Sequence, residues 1–114
     1  MVSDVSYLEI GTAATEPSRL FFEQLFGWRF NPMGDDGEGW FQTPSLKVGL
    51  HGNDPEPQFS IFFSVIDLDD AIVRVKALGG QADEPGPDEP GFGRFCLCRD
   101  PQGIQFGLHQ PPSG

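Results

Sequence analysis

The sequence holds two histidines, His51 and His109, and both end the same tripeptide, Gly-Leu-His. Leu46-Lys-Val-Gly-Leu-His51 and Ile104-Gln-Phe-Gly-Leu-His109 share the order apolar, polar, apolar, Gly, Leu, His. Imidazole and carboxylate suit a non-haem divalent metal, so His51 and His109 with Glu9 form one candidate triad. The competing reading is two strand-end histidines preserved from a duplication. Glu9 alone is a candidate general base where burial raises its pKa; a solvated strand-edge carboxylate is the alternative. Trp40 and Phe41 are candidates for stacking on a planar ligand, with one of them expected in the core. Arg94 is read either as a grip for an anionic substrate or as a surface strand residue.

The elements that position these groups follow from residue periodicity. Val5, Tyr7 and Glu9 alternate with Ser6, Leu8 and Ile10, a strand that Gly11 ends. Thr15 or Ser18 is expected to cap a helix with Pro17 in its first turn and Gly27 just past its end. Trp28 to Phe30 begins a short strand. Trp40 to Thr43 and Leu46 to His51 read as a hairpin around Pro44-Ser45, and residues 52–57 as a linker. Gln58 to Val65 opens a second copy, with Phe59, Ile61, Phe63 and Val65 as its apolar face. Asp67 caps a helix whose Leu68, Ala71, Ile72, Val75 and Leu78 trace a stripe ended by Gly79-Gly80. Gln81 to Glu84 is a brief strand, and Phe92 to Arg99 with Ile104 to His109 form the last hairpin. Its turn is Asp100-Pro-Gln-Gly103, where the carboxylate, the fixed proline φ and a glycine at φ > 0 each have a role. The order is β-α-β-β-β twice, a duplicated module rather than a solenoid.

Period-2 alternation sets one face apart: Tyr7, Glu9, Lys47, Gly49, His51, Ser60, Phe62, Ser64, Gln105, Gly107 and His109. The opposite, apolar faces are expected under the helices. Aromatics among a few polar groups suit a small-molecule pocket, since Gly49, Ser60 and Gly107 leave space; a closed, filled interior is the alternative.

With 114 residues the chain fits one domain with a modest core. A formal charge of −10, seven Lys and Arg, and no basic run argue against nucleic acid as a partner. No stretch reads as a membrane span, and the first thirty residues lack a secretory pattern. Cys96 and Cys98 share one strand face, too far apart along the chain for ordinary disulfide geometry. Two free thiols suit a reducing cytoplasm, which is the expected location. The acidic loops around Asp35-Asp36 and Asp88-Glu89 read as solvated turns rather than calcium loops.

The chain carries, in order, Leu20-Phe-Phe-Glu-Gln-Leu-Phe-Gly-Trp28, Phe63-Ser-Val-Ile-Asp-Leu-Asp69, Ala77-Leu-Gly-Gly80 and Asp100-Pro-Gln-Gly-Ile-Gln-Phe106. In these motifs and their order it resembles the glyoxalase, bleomycin-resistance and extradiol-dioxygenase superfamily, also called vicinal oxygen chelate proteins. The resemblance implies an α+β fold in which two βαβββ modules form a curved mixed-sheet cavity, helices outside. The modules would span about residues 4–52 and 58–110, joined by 53–57 in a single domain. It also implies a homodimer. In metal-dependent members the ligands come from the first and last strand of each module. Those positions here are Tyr7, approximately Gly49, Ser60 and Gly107, none of them His or carboxylate, so the usual site is expected to be absent. His51 and His109 lie about two residues further on, roughly 6–7 Å along the strand.

These readings converge on a metal-free, bleomycin-resistance-like binder of a small, partly aromatic or polar molecule, and lean against metal-dependent catalysis. The ligand-binding set is Tyr7, Glu9, Trp40, His51, Ser60, Phe62, Gln105 and His109, with no cofactor and no catalytic residue assigned. An acidic cavity would suit a cationic or hydroxyl-rich ligand. The alternatives are a metal-dependent lyase, isomerase or dioxygenase holding a divalent metal at Glu9, His51 and His109, and a scaffold or regulatory domain.

Overall fold

Alternation of apolar and polar residues, interrupted at glycines and prolines, builds eight strands and two helices among the described residues, 2–112, of the computed structural model. In chain order they are β1 (Val5–Gly11), α1 (Thr15–Phe26), β2 (Arg29–Pro32), β3 (Gly39–Gln42), β4 (Lys47–His51), β5 (Gln58–Ser64), α2 (Leu68–Ala77), β6 (Gln81–Ala82), β7 (Arg94–Arg99) and β8 (Gln105–Gln110). This is the expected β-α-β-β-β order twice, an α+β fold. The strands gather into two compact units, Tyr7–Ser60 and residues 2–6 with 61–112.

In the first unit the strand order is β2-β3-β4-β1, with β1 parallel to β4 and the other pairs antiparallel. Register settles which residues share a face. Phe30, Phe41, Val48 and Leu8 stand opposite one another across the four strands. That apolar row, with Ile10 and Leu50, packs against Phe22 of α1 and against Trp28. Phe41 is fully buried, so it is the core member of the Trp40-Phe41 pair. Trp28 joins the core just before β2 rather than opening the strand.

Helix α1 begins without a side-chain cap. Thr15 is already helical, and the Ser18 hydroxyl pairs with that of Thr12 at 3.0 Å, so neither expected cap forms. Gly27 ends the helix at φ 70°, its N–H donating to the Glu23 carbonyl, a left-handed position that glycine takes without steric cost.

In the second unit the order is β5-β8-β7-β6, with β5 parallel to β8 and the rest antiparallel. Leu68 and Ile72 of α2 pack on Cys96, Cys98 and Leu108. The Asp67 carboxylate accepts from the Asp70 N–H at 3.1 Å, as an N-cap should. Leu78 lies past the end of α2 and is exposed instead of extending the stripe. Phe59 and Ile61 are each about half exposed, so the expected apolar face of β5 is covered only in part. The Asp100 carboxylate accepts from the Gln102 and Ile104 N–H groups, both at 2.8 Å, and Gly103 sits at φ +89°, forming the expected turn.

Cys96 and Cys98 are buried free thiols on one face, 3.9 Å apart at sulfur. Burial pushes both thiols up, Cys98 to about 12, which keeps them unreactive near neutrality. No helix among the described residues is long and apolar enough to cross a membrane.

Candidate functional site

On the polar face of the first unit, register creates two further rows. Asn31, Trp40, Gly49 and Glu9 form one; Arg29, Gln42, Lys47 and Tyr7 form the next. Gly11 and His51 are paired at the end of β1 and β4. Trp40 therefore points away from the core that holds Phe41, and the Lys47 ammonium stands 5.0 Å from the Trp40 ring centroid.

Four side chains on this face join in one chain of hydrogen bonds. The Tyr7 hydroxyl donates to Glu9 Oε1 at 3.2 Å. Glu9 Oε2 lies 2.6 Å from His51 Nδ1, and His51 Nε2 lies 3.1 Å from Asp54 Oδ2. Two glycines make the room. A Cβ at Gly49 would collide with Glu9 Oε1 and the Tyr7 hydroxyl; one at Gly11 would collide with Asp54 Oδ2 and sit 2.8 Å from His51 Nε2. Gly49 thus leaves space, as expected, and the tips of Glu9 and Tyr7 take it.

Both imidazole nitrogens face carboxylate oxygens, and an ionised carboxylate only accepts. A neutral imidazole has one N–H, so it would leave a lone pair against an oxygen. The network is complete when it holds one further proton, on His51 or on Glu9. Burial pushes the Glu9 carboxyl up, with the hydrogen bond from His51 acting against it. Burial alone would lower His51, but hydrogen bonds and charge from Glu9 and Asp54 outweigh it and raise the imidazole. Asp54 is held down, first by the Glu56 N–H and then by His51. As a unit, Glu9 and His51 bind a proton more readily than either group does in water. With its side chain 40% exposed, His51 can give up or take that proton from outside.

The sign of the pH dependence follows. A raised imidazole stabilises the fold fully below its unfolded value near 6.5, and that contribution is lost as pH rises through the raised folded value. The stability difference between the natural protein and His51→Gln should therefore shrink as pH climbs from 6 to 9, measured by urea unfolding at fixed ionic strength. A difference that grows with pH would contradict this arrangement.

Asp54 lies in the 52–57 linker, and a backbone turn brings it to the site. Asn53 adopts φ 57°, and the N–H groups of Asn53 and Asp54 donate to the carbonyls of Ala13 and Thr12. That turn folds the carboxylate back onto an imidazole three residues earlier. The Asn-Asp-Pro sequence signalled a turn but not its direction.

The second unit treats the matching positions differently. The Phe62 ring occupies the space that Gly107 was expected to leave, so a Cβ at 107 would meet that ring. Phe62 meets Phe95 edge-on at 5.3 Å, and Phe95 stacks on His109 at 4.6 Å. His109 is buried; its Nε2 donates to the Phe92 carbonyl at 2.6 Å, and its Nδ1 lies 2.7 Å from the Ser6 hydroxyl. Here the row fills with aromatic rings. Of the remaining candidates, Gln105 is exposed, Ser60 is half-buried, and Arg94 contacts Asp69 at the surface at 3.3 Å.

The residues do not fit the divalent metal that the resemblance brings with it. Of its four ligand positions, Gly49 and Gly107 have no side chain and no room for one, and the Tyr7 hydroxyl donates to Glu9. Glu9 and His51 do come together, but both ring nitrogens of each histidine already have partners within 3.1 Å. No group of three His, Cys, Asp or Glu side chains arranged to hold a metal occurs among the described residues.

No protein-family model matches the sequence. A curated protein of Mycobacterium tuberculosis named "Putative glyoxylase CFP32", and its Mycobacterium bovis counterpart, are each 37% identical over 51 residues, 45% of this chain. The matched stretch is a fifth of the length of those relatives. Among solved structures, the hypothetical protein BH1468 from Bacillus halodurans superposes with a TM-score of 0.77 at 15% identity, over 100% of this chain and 98% of that one. Methylmalonyl-CoA epimerase from Mycobacterium tuberculosis gives 0.71 at 17% identity, covering 96% and 88%. Homoprotocatechuate 2,3-dioxygenase from Arthrobacter globiformis gives 0.74 at 18%, covering 96% of this chain and 36% of the dioxygenase. At these identities the likeness is one of fold.

Proposed function

We propose that this chain, which has the fold of the glyoxalase, bleomycin-resistance and extradiol-dioxygenase (vicinal oxygen chelate) superfamily, binds a small, partly aromatic molecule without a metal. The observation that carries the reading is the Tyr7–Glu9–His51–Asp54 network, held over Gly49 and Gly11 beside Trp40. The indole supplies planar contact area, while Glu9 and His51 orient a polar group and exchange a proton with it. Where metal-dependent relatives would place ligands, this face has tyrosine and glycine, and its polar groups bond to one another.

The test is thermal unfolding of chelator-treated protein against a panel of planar phenols and aromatic amides. A binder of the native state stabilises by mass action, by about 2.7 kcal/mol at a hundredfold excess over its Kd. The stabilisation should survive the chelator and disappear in Glu9→Gln and Trp40→Ala. Near-stoichiometric retention of Mn, Fe, Ni or Zn after desalting, lost in Glu9→Gln, would overturn the reading in favour of a metal-dependent lyase, isomerase or dioxygenase.

Two further expectations belong to the same proposal. A second copy of the chain would cover Phe21, Leu25 and Phe26, which α1 leaves more than half exposed, and a homodimer in sedimentation analysis is the expected result. A reducing compartment such as the cytoplasm suits the two free thiols.

A further inference from the structure

If the first unit binds a planar molecule as proposed above, the same face also indicates that molecule's charge. We infer that the ligand carries a carboxylate or similar anionic group at the end remote from Glu9, held by Arg29. Composition points the other way, since the chain has 17 Asp and Glu against seven Lys and Arg. The local wall decides otherwise. An open cavity of about 360 Å³ beside Trp40 is lined by Gly27, Arg29, Asn31, Trp40 and Gln42, with no carboxylate among them.

Charge is separated along this face. Arg29, Gln42, Lys47 and Tyr7 form one cross-strand row, and Glu9 lies in the next row with Trp40. Strands lie about 4.8 Å apart, so β2, which carries Arg29, and β1, which carries Glu9, are roughly 14 Å from each other. That distance suits a two-ring molecule with a polar group at each end. Trp40 stands between, with the Lys47 ammonium over its ring. The amide nitrogens of the cavity are committed: Asn31 Nδ2 donates to the carbonyls of Arg29 and Trp40, and Gln42 Nε2 to those of Thr43 and Leu46. The Arg29 guanidinium is the charged donor of the cavity wall. Its planar fork matches a carboxylate in a way an ammonium does not.

The experiment is calorimetric titration of chelator-treated protein at low salt with 2-naphthoate, neutral 2-naphthamide and cationic 2-naphthamidine. The naphthoate should bind at least tenfold more tightly than the amide, and the amidine least. Arg29→Gln should abolish the preference, Arg29→Lys should retain part of it, and raising salt should reduce it. Arg29 is exposed, so unchanged circular dichroism and midpoint are expected of both variants. Preference for the amidine, or a preference unaltered in Arg29→Gln, would overturn the anionic assignment. The binding reading would then stand as long as Glu9→Gln and Trp40→Ala still weaken the probe that binds. Failure of all three probes to bind would remove both.

Discussion

A Gly49→Ala variant should lose the polar site as a unit and unfold more easily by about 1–3 kcal/mol, the usual cost of forcing a methyl into occupied space. The new Cβ falls where Glu9 Oε1 and the Tyr7 hydroxyl now lie, and 2.9 Å from Glu9 Cδ. Glu9 and Gly49 are opposite one another in register, so no strand shift relieves the contact without displacing the whole β1–β4 pair. Glu9 must swing away, which breaks its bonds to Tyr7 and His51. Two readouts separate this from a merely weakened fold. The pH dependence attributed to His51 should flatten, and binding at the face should fall by at least tenfold. A double-mutant cycle with Glu9→Ala should give a coupling energy near 1 kcal/mol, because removing the carboxylate removes much of the collision. Additive effects would show that the glycine is needed for some other reason.

Phe41→Ala should be the most damaging single substitution in the first unit, costing about 3–5 kcal/mol in urea unfolding. Phe41 is fully buried and meets Phe30, Trp28 and Phe22 at centroid distances of 5.3, 5.7 and 6.4 Å. Deleting it leaves a cavity walled by three rings that belong to β2, α1 and the turn between them. Those elements have separate anchors, so they close on the gap poorly. A domain with ordinary stability of about 5–15 kcal/mol would retain little margin. Trp40→Ala, one residue away on the opposite face, should cost far less. A loss below about 1.5 kcal/mol for Phe41→Ala would mean that the aromatic cluster is not the centre of this core.

Much of this was legible in the residues. Alternation placed Tyr7, Glu9, Lys47, Gly49 and His51 on one face and Leu8, Ile10, Val48 and Leu50 on the other, because side chains on a strand have no third choice. The repeated Gly-Leu-His strands exposed the duplication, and Asp67 and Asp100 announced a cap and a turn through local hydrogen bonds. What stayed hidden depends on distance in the chain. The Arg29 and Trp40 rows exist only once β2, β3 and β4 are in register. His109 finds Ser6, 103 residues away, and the Phe92 carbonyl, neither of which any local pattern indicates. Gly49 and Gly107 read alike in sequence, yet one admits a carboxylate and the other an aromatic ring. The difference lies with Glu9 and Phe62 on the neighbouring strands. Asp54 depended on a left-handed asparagine.

The duplicated histidines give the molecule a pair of built-in reporters. Each unit contains one imidazole, set in carboxylates at His51 and in a hydroxyl, a carbonyl and a phenyl ring at His109. A proton magnetic resonance spectrum of the protein thus contains two imidazole Cε1–H resonances, one per unit. One follows events at the polar face while the other serves as a reference inside the same chain.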